Sequence, residues 1–169
     1  MSSNNEIAAC VFEVPGGLVP GKLLRIEGNT PADATSFQYH LLNGPDVSHS
    51  DIILSMNFQF ADSKVVMNNK QNSQWGQQET QGGMPLVAGQ NFEVLILCET
   101  DLYKIALNGI HFYEFRHRMP SNTITHGITE SQAVLTKVMI GEMRTVADGE
   151  PPPGHTPTPS LPPGYGPQQ

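Results

Sequence analysis

The feature that most constrains this chain is one stretch of alternating side chains. Ile52, Leu54, Met56, Phe58 and Phe60 are apolar at every second position, with Ser55, Asn57 and Gln59 between them. Alternation at period two belongs to a strand that lays one face on a core and turns the other away from it. A turn at Ala61-Asp62-Ser63 follows, then a second apolar run, Val65-Val66-Met67, that ends in Asn68. Seven residues later comes Trp75, the only tryptophan of the chain. Paired antiparallel, these strands would gather amides and a hydroxyl beside one indole on a single sheet surface.

The same rhythm runs through most of the sequence. Strands are predicted over residues 9–14, 23–28, 36–42, 52–60, 64–68, 78–81, 92–98, 102–107, 111–115 and 134–140, with turn clusters at roughly ten-residue intervals, as in an all-β sandwich or barrel. Asn108-Gly109 accepts the positive φ angles of a type I′ turn, so residues 103–107 should pair with 110–115. From Ala147 the chain reads ADGEPPPGHTPTPSLPPGYGPQQ. Proline removes backbone donors there, and too few large apolar groups remain to offset the entropy of ordering. The expected organisation is an N-terminal arm over 1–9, one domain over 10–146 and an extended tail over 147–169. The tail reads as an inert linker toward another domain, a self-association segment, or a ligand for grooves that bind PxxP.

Composition narrows the function classes. Sixteen acidic residues against 9 basic ones give a net charge of −7, and the basic residues are scattered apart from Arg116-His117-Arg118. Nucleic acid wants a basic stripe, and an anionic membrane surface is disfavoured for the same reason. No apolar stretch approaches the ~20 residues of a membrane span. The N-terminus has no basic segment leading into an apolar one, so synthesis in the cytoplasm is expected, with export to the extracellular space by a non-classical route left open.

Cys10 and Cys98 stand far apart without a CxxC spacing, which suggests neither a disulfide framework nor a zinc site. Cys98 lies in the apolar run 92–98 and reads as a small buried hydrophobe, whereas Cys10 reads as exposed and oxidisable. The six histidines show no i, i+4 pairing, so no metal and no cofactor is expected, and His117 reads as a solvated strand end. Gly16-Gly17-Leu18-Val19-Pro20-Gly21-Lys22 is followed by Leu23 where a phosphate loop has Ser or Thr, and it reads as a turn.

No nucleophile elbow is present, and the acids nearest Trp75 in sequence are Asp62 and Glu79. Such a surface is equipped to hold and poorly equipped to cleave, so an enzyme is not expected. A sugar is the ligand this set would suit. Its apolar C–H face can lie on indole while its hydroxyls meet fixed donors and acceptors. The bland reading is that a single tryptophan among polar strand residues is a partly exposed packing residue.

Several ordered motifs resemble a galectin carbohydrate-recognition domain. They are Pro20-Gly21-Lys22, Leu54-Ser55-Met56-Asn57-Phe58-Gln59-Phe60, Val65-Val66-Met67-Asn68-Asn69-Lys70, Trp75-Gly76, Gln90-Asn91-Phe92-Glu93-Val94-Leu95-Ile96-Leu97 and Phe112-Tyr113-Glu114-Phe115-Arg116-His117-Arg118-Met119-Pro120. The resemblance runs from about Phe12 to about Ile140 and implies a two-sheet antiparallel jelly-roll-like β-sandwich, galectin- or concanavalin-like. The galectin signature is His-x-Asn-x-Arg, then Val-x-Asn, then Trp-Gly-x-Glu-x-Arg. Carried over position by position, it retains Asn57, Asn68, Trp75 and Gly76, while Ser55, Gln59, Gln78 and Thr80 stand where the family has His, Arg, Glu and Arg.

In galectins that His and the first Arg hold the axial hydroxyl of galactose, and the Glu orients the arginines. Replacing charge-assisted bonds of roughly 1.5–3 kcal/mol by neutral ones of about 0.5–1.5 implies feeble galactoside recognition. Because both arginines and the glutamate are gone together, no unpaired charge is stranded. Glu79, one residue beyond the expected acid, would serve only if the strand bulged there, since alternation points it away.

The resemblance implies a carbohydrate-binding protein using Ser55, Asn57, Gln59, Asn68, Trp75 and Gln78, with a glycan or glycoprotein of weak or non-galactoside type as partner. The alternative is an interaction protein on the same scaffold, acting through homodimerisation or partner binding.

Overall fold

The computed structural model describes residues 9–131 and 133–142. They form twelve strands: β1 (Ala9–Glu13), β2 (Lys22–Asn29), β3 (Ser36–Leu42), β4 (Ile52–Gln59), β5 (Lys64–Gln71), β6 (Gln74–Trp75), β7 (Glu79–Gly82), β8 (Asn91–Cys98), β9 (Leu102–Leu107), β10 (Ile110–Arg116), β11 (His126–Ser131) and β12 (Val134–Glu142). Of the expected arm, residues 1–8 lie outside the described residues, and so does the expected tail 147–169; Ala9 already belongs to β1.

The strands make two antiparallel sheets. One has the order β1-β11-β3-β4-β5-β6, with β7 also paired to β5; the other is β10-β9-β8-β2-β12. Between them lies one main core of Leu24, Ile26, Phe37, Tyr39, Leu54, Met56, Phe58, Val65, Met67, Val94, Ile96, Ile105 and Leu107. Phe37 of β3 stacks on Phe58 of β4 at 4.5 Å and on Phe92 of the opposite sheet at 4.8 Å, so one ring locks the two layers together. The alternation in β4 produces this face directly.

Three sequence expectations are met in detail. Asn108 and Gly109 have φ of 51° and 82°, and Leu107 pairs with Ile110 across them. Gly16, Gly17 and Gly21 all take positive φ in a turn, where Lys22 donates through Nζ to the carbonyls of Pro15 and Gly17. Cys98 is fully buried.

Three others differ. Ile52, expected on the core face, packs instead with Leu42, Ile128 and Val47, because the β3–β4 and β4–β5 registers both slip between Ile52 and Ser55. One extra residue in a strand exchanges its faces. His117 is not solvated: it is partly buried, its Nε2 donates to the Glu99 carbonyl at 2.7 Å, and its ring meets the edge of Tyr103. Finally, β11 was not expected, because His126-Gly127-Ile128-Thr129-Glu130-Ser131 has little apolar alternation. Gly127 lies under the Phe12 ring, where any Cβ would clash, so the aromatic payload of that position comes from β1.

Candidate functional site

The side chains of the first sheet that point away from the core fall into rows, because cross-strand partners share a face. One row is His40, Ser55 and Asn68, on β3, β4 and β5. The next is Gln38, Asn57, Val66 and Thr80, reaching β7. A third is Ser36, Gln59, Lys64 and Gly82. At the edge, Trp75 of β6 pairs with Lys70, whose ammonium sits 5.4 Å from the indole centroid.

A groove of about 330 Å³ opens over the first two rows, lined by Gln38, Ser55, Asn57, Val66, Asn68, Trp75, Gly76 and Gln78. Five of the six residues singled out in the sequence line it. Gln59 does not, because it lies one row further toward the strand end. Trp75 keeps 51% of its surface exposed, so it is not a core residue. Asn57 Oδ1 is buried and has no hydrogen-bond partner among the described residues. No lining residue carries a formal charge.

Asn68 is held more tightly than its neighbours. Its Oδ1 accepts from Arg118 Nη1 at 2.9 Å and from the Asn69 backbone at 2.8 Å, and its Nδ2 donates to the Gly76 carbonyl at 3.0 Å. A guanidinium can only donate and a carbonyl can only accept, so the amide has one permitted orientation. One N–H remains to offer outward. Gly76 is a glycine for a related reason: a Cβ there would stand 2.5 Å from Asn69 Oδ1 and 3.1 Å from Arg118 Nη1.

Below this layer Arg118 also donates through Nη2 to the Gln77 carbonyl at 2.6 Å and to Glu79 Oε2 at 2.8 Å. The other oxygen of Glu79 accepts from Tyr113 OH at 2.6 Å, and that bond, with some burial, pushes the Tyr113 phenol up to about 12. The β5–β7 register is unbroken and sets Glu79 opposite the core residue Met67, so alternation aims it inward rather than into the groove.

At the other end of the first row His40 is buried with Nε2 3.5 Å from Glu130. Burial holds this imidazole below its ordinary value against the pull of the carboxylate. Among the described residues no cluster of three or more His, Cys, Asp or Glu could hold a metal ion.

Sequence reasoning missed Gln38 and Arg118. Gln38 alternates with Phe37 and Tyr39 inside a strand that was expected, but its neighbour β4 could not be assigned from sequence. Arg118 stood in one of the galectin-like motifs without a role, and its physical signal was that an inward-facing Glu79 requires a cation.

Residues 9–140 match the family model for galactoside-binding lectins. The chain belongs to the galectin family. Human galectin-7 is 39% identical over 107 residues, covering 63% of this chain and 78% of that protein. Rat galectin-7 is 36% identical over 111 residues, 66% of this chain and 81% of its own length. Rat galectin-4 is 35% identical over 114 residues, which is 67% of this chain but 35% of that longer protein. A solved variant of human galectin-16 superposes with a TM-score of 0.71 at 21% identity, covering 79% of this chain and 94% of its own, a likeness of fold. The domain is thus a galectin-like carbohydrate-binding domain, whose galectin signature retains Asn57, Asn68, Trp75 and Gly76 around the groove.

Proposed function

We propose that this galectin domain is a weak lectin for neutral glycans, which it holds by stacking on Trp75 and by uncharged hydrogen bonds. The observation that carries the reading is the groove itself: a half-exposed indole beside Ser55, Asn57, Gln78 and Gln38, with no lining charge. One stacking contact of about 1 kcal/mol and two or three neutral hydrogen bonds of about 1 kcal/mol each give roughly 3–4 kcal/mol, a Kd in the millimolar range. Ser55 and Gln78 offer their dipoles where galectins place His and Glu; Gln59 and Thr80 belong to the same polar face beyond the groove. Binding without chemistry is supported by the position of Glu79, whose carboxylate is tied inward to Arg118 and Tyr113. Galectins as a family suggest cytoplasmic synthesis with non-classical export, and glycoproteins as partners.

Titration calorimetry with lactose and with chitotriose, on wild type and Trp75→Ala, tests the proposal. Millimolar retention by wild type, lost in the variant, is the expected result. If neither glycan binds wild type above the variant, the lectin reading fails. The interaction-protein reading then gains, and sedimentation of full-length and 147–169-deleted protein would follow it.

A further inference from the structure

The groove lacks charge, yet its most constrained side chain is fixed by one. Arg118 leaves the end of β10 in the five-stranded sheet and crosses beneath the turn that follows Trp75. Its guanidinium donates to four acceptors from three segments: Asn68 Oδ1 and Asn69 Oδ1 on β5, the Gln77 carbonyl in the turn, and Glu79 on β7. Glu79 in turn is held by Tyr113, which lies on the same strand that delivers Arg118. Only a planar fork with several donors satisfies four acceptors at once, and a compact ammonium does not.

We propose that Arg118 is the positioning residue of the glycan groove: with Glu79 as its counter-ion it pins the Gly76–Gln77 segment that directly follows Trp75 and fixes the Asn68 amide with one N–H left for a ligand. The proposal rests on the lectin reading for its function, but its geometry stands on the described contacts. Neither Arg118 nor Glu79 lines the groove, so the pair acts through Trp75 and Asn68. The groove thus takes its rigidity from an ion pair behind it. The pair is partly exposed, at 22% for Arg118 and 28% for Glu79.

Trp75 is the only tryptophan, so 5-fluorotryptophan places a single ¹⁹F label at the site. Wild type is expected to give one narrow resonance. Arg118→Lys keeps the charge and loses the fork; at temperatures where its far-ultraviolet circular dichroism equals that of wild type, the line should split or broaden. Lactose affinity should fall about tenfold, the loss of roughly one good hydrogen-bonded contact. Should the lysine variant fail to fold, Glu79→Gln removes the counter-ion and decides by the same two readouts.

A wild-type line already split, or an unchanged line in both variants, overturns the positioning role whatever happens to the affinity. If wild type binds neither lactose nor chitotriose, the lectin reading falls while the resonance still decides whether Arg118 holds the turn.

Discussion

Gly76→Ala measures how tightly the layer under Trp75 is built. The added Cβ would lie 2.5 Å from Asn69 Oδ1 and 3.1 Å from both Arg118 Nη1 and Asn68 Oδ1. A carbon and an oxygen approach comfortably at about 3.3–3.6 Å, so the Asn69 amide must retreat by most of an ångström. Its bond to Arg118, now 2.8 Å, cannot survive that shift. A hydrogen bond to a charged group is worth roughly 1.5–3 kcal/mol, and alanine returns about 0.5–1 by restricting the unfolded chain. The net cost is about 1–2 kcal/mol. At roughly 2–4 °C per kcal/mol, the midpoint of thermal unfolding should fall by about 2–8 °C.

Gly141→Ala is the control, since nothing lies within 4 Å of a Cβ built there and its backbone is not in the left-handed region. That variant, on β12, should be neutral or stabilised by about 0.5–1 kcal/mol. Scanning calorimetry of the two side by side decides. Equal melting of both variants would mean the amide–guanidinium layer yields freely, and the account of why Gly76 follows Trp75 would be wrong.

Phe37→Ala should cost about 3–5 kcal/mol in urea unfolding, because one ring stacks on Phe58 and Phe92 and joins both sheets; a loss under 1 kcal/mol would contradict that packing. The thiol of Cys98 is pushed up by burial, so in a Cys10→Ser variant an aromatic disulfide reagent should label nothing until denaturant is added, and rapid native labelling would refute this. Tyr113 donates to Glu79 only while protonated, which raises its pKa from 10.0 to about 12. The stability gained is therefore present below pH 10 and lost as the pH climbs toward 12. Alkaline unfolding should be less steep in that window in Glu79→Gln, as followed by far-ultraviolet circular dichroism, and identical curves would count against the bond.

The sandwich was legible because its evidence is local. Period two in β4, the Asn108-Gly109 turn and the apolar run of β8 each specify their own geometry. What was not legible depends on partners distant in sequence. His126-Gly127-Ile128 reads as a loop until Phe12 covers the glycine, and Ile52 reads as core until a slipped register turns it over. That Asn57, Asn68 and Trp75 line one groove was legible because they share a signature and an alternation. Gln38 requires knowing that β3 lies beside β4. Arg118 requires knowing that the end of a strand in one sheet passes beneath the edge of the other, 50 residues from Asn68 in sequence.

The fate of the acidic residue shows how much depends on parity. In a strand, residues 78 and 80 share one face and residue 79 takes the other. A carboxylate at 78 would enter the groove as a reader of hydroxyls; at 79 it faces Met67, where it needs a cation and finds Arg118. One step along the chain thus converts a ligand contact into a fastening between sheets. With that acid turned inward, arginines at 59 and 80 would stand on the polar face beside the groove with no counter-ion next to them. Their absence together with the acid is what an unstrained neutral surface demands. It follows that a charge restored singly, as in Gln78→Glu, would stand unpaired at the groove wall, so the galactoside pattern on this scaffold is a property of the whole charged set and not of any one member.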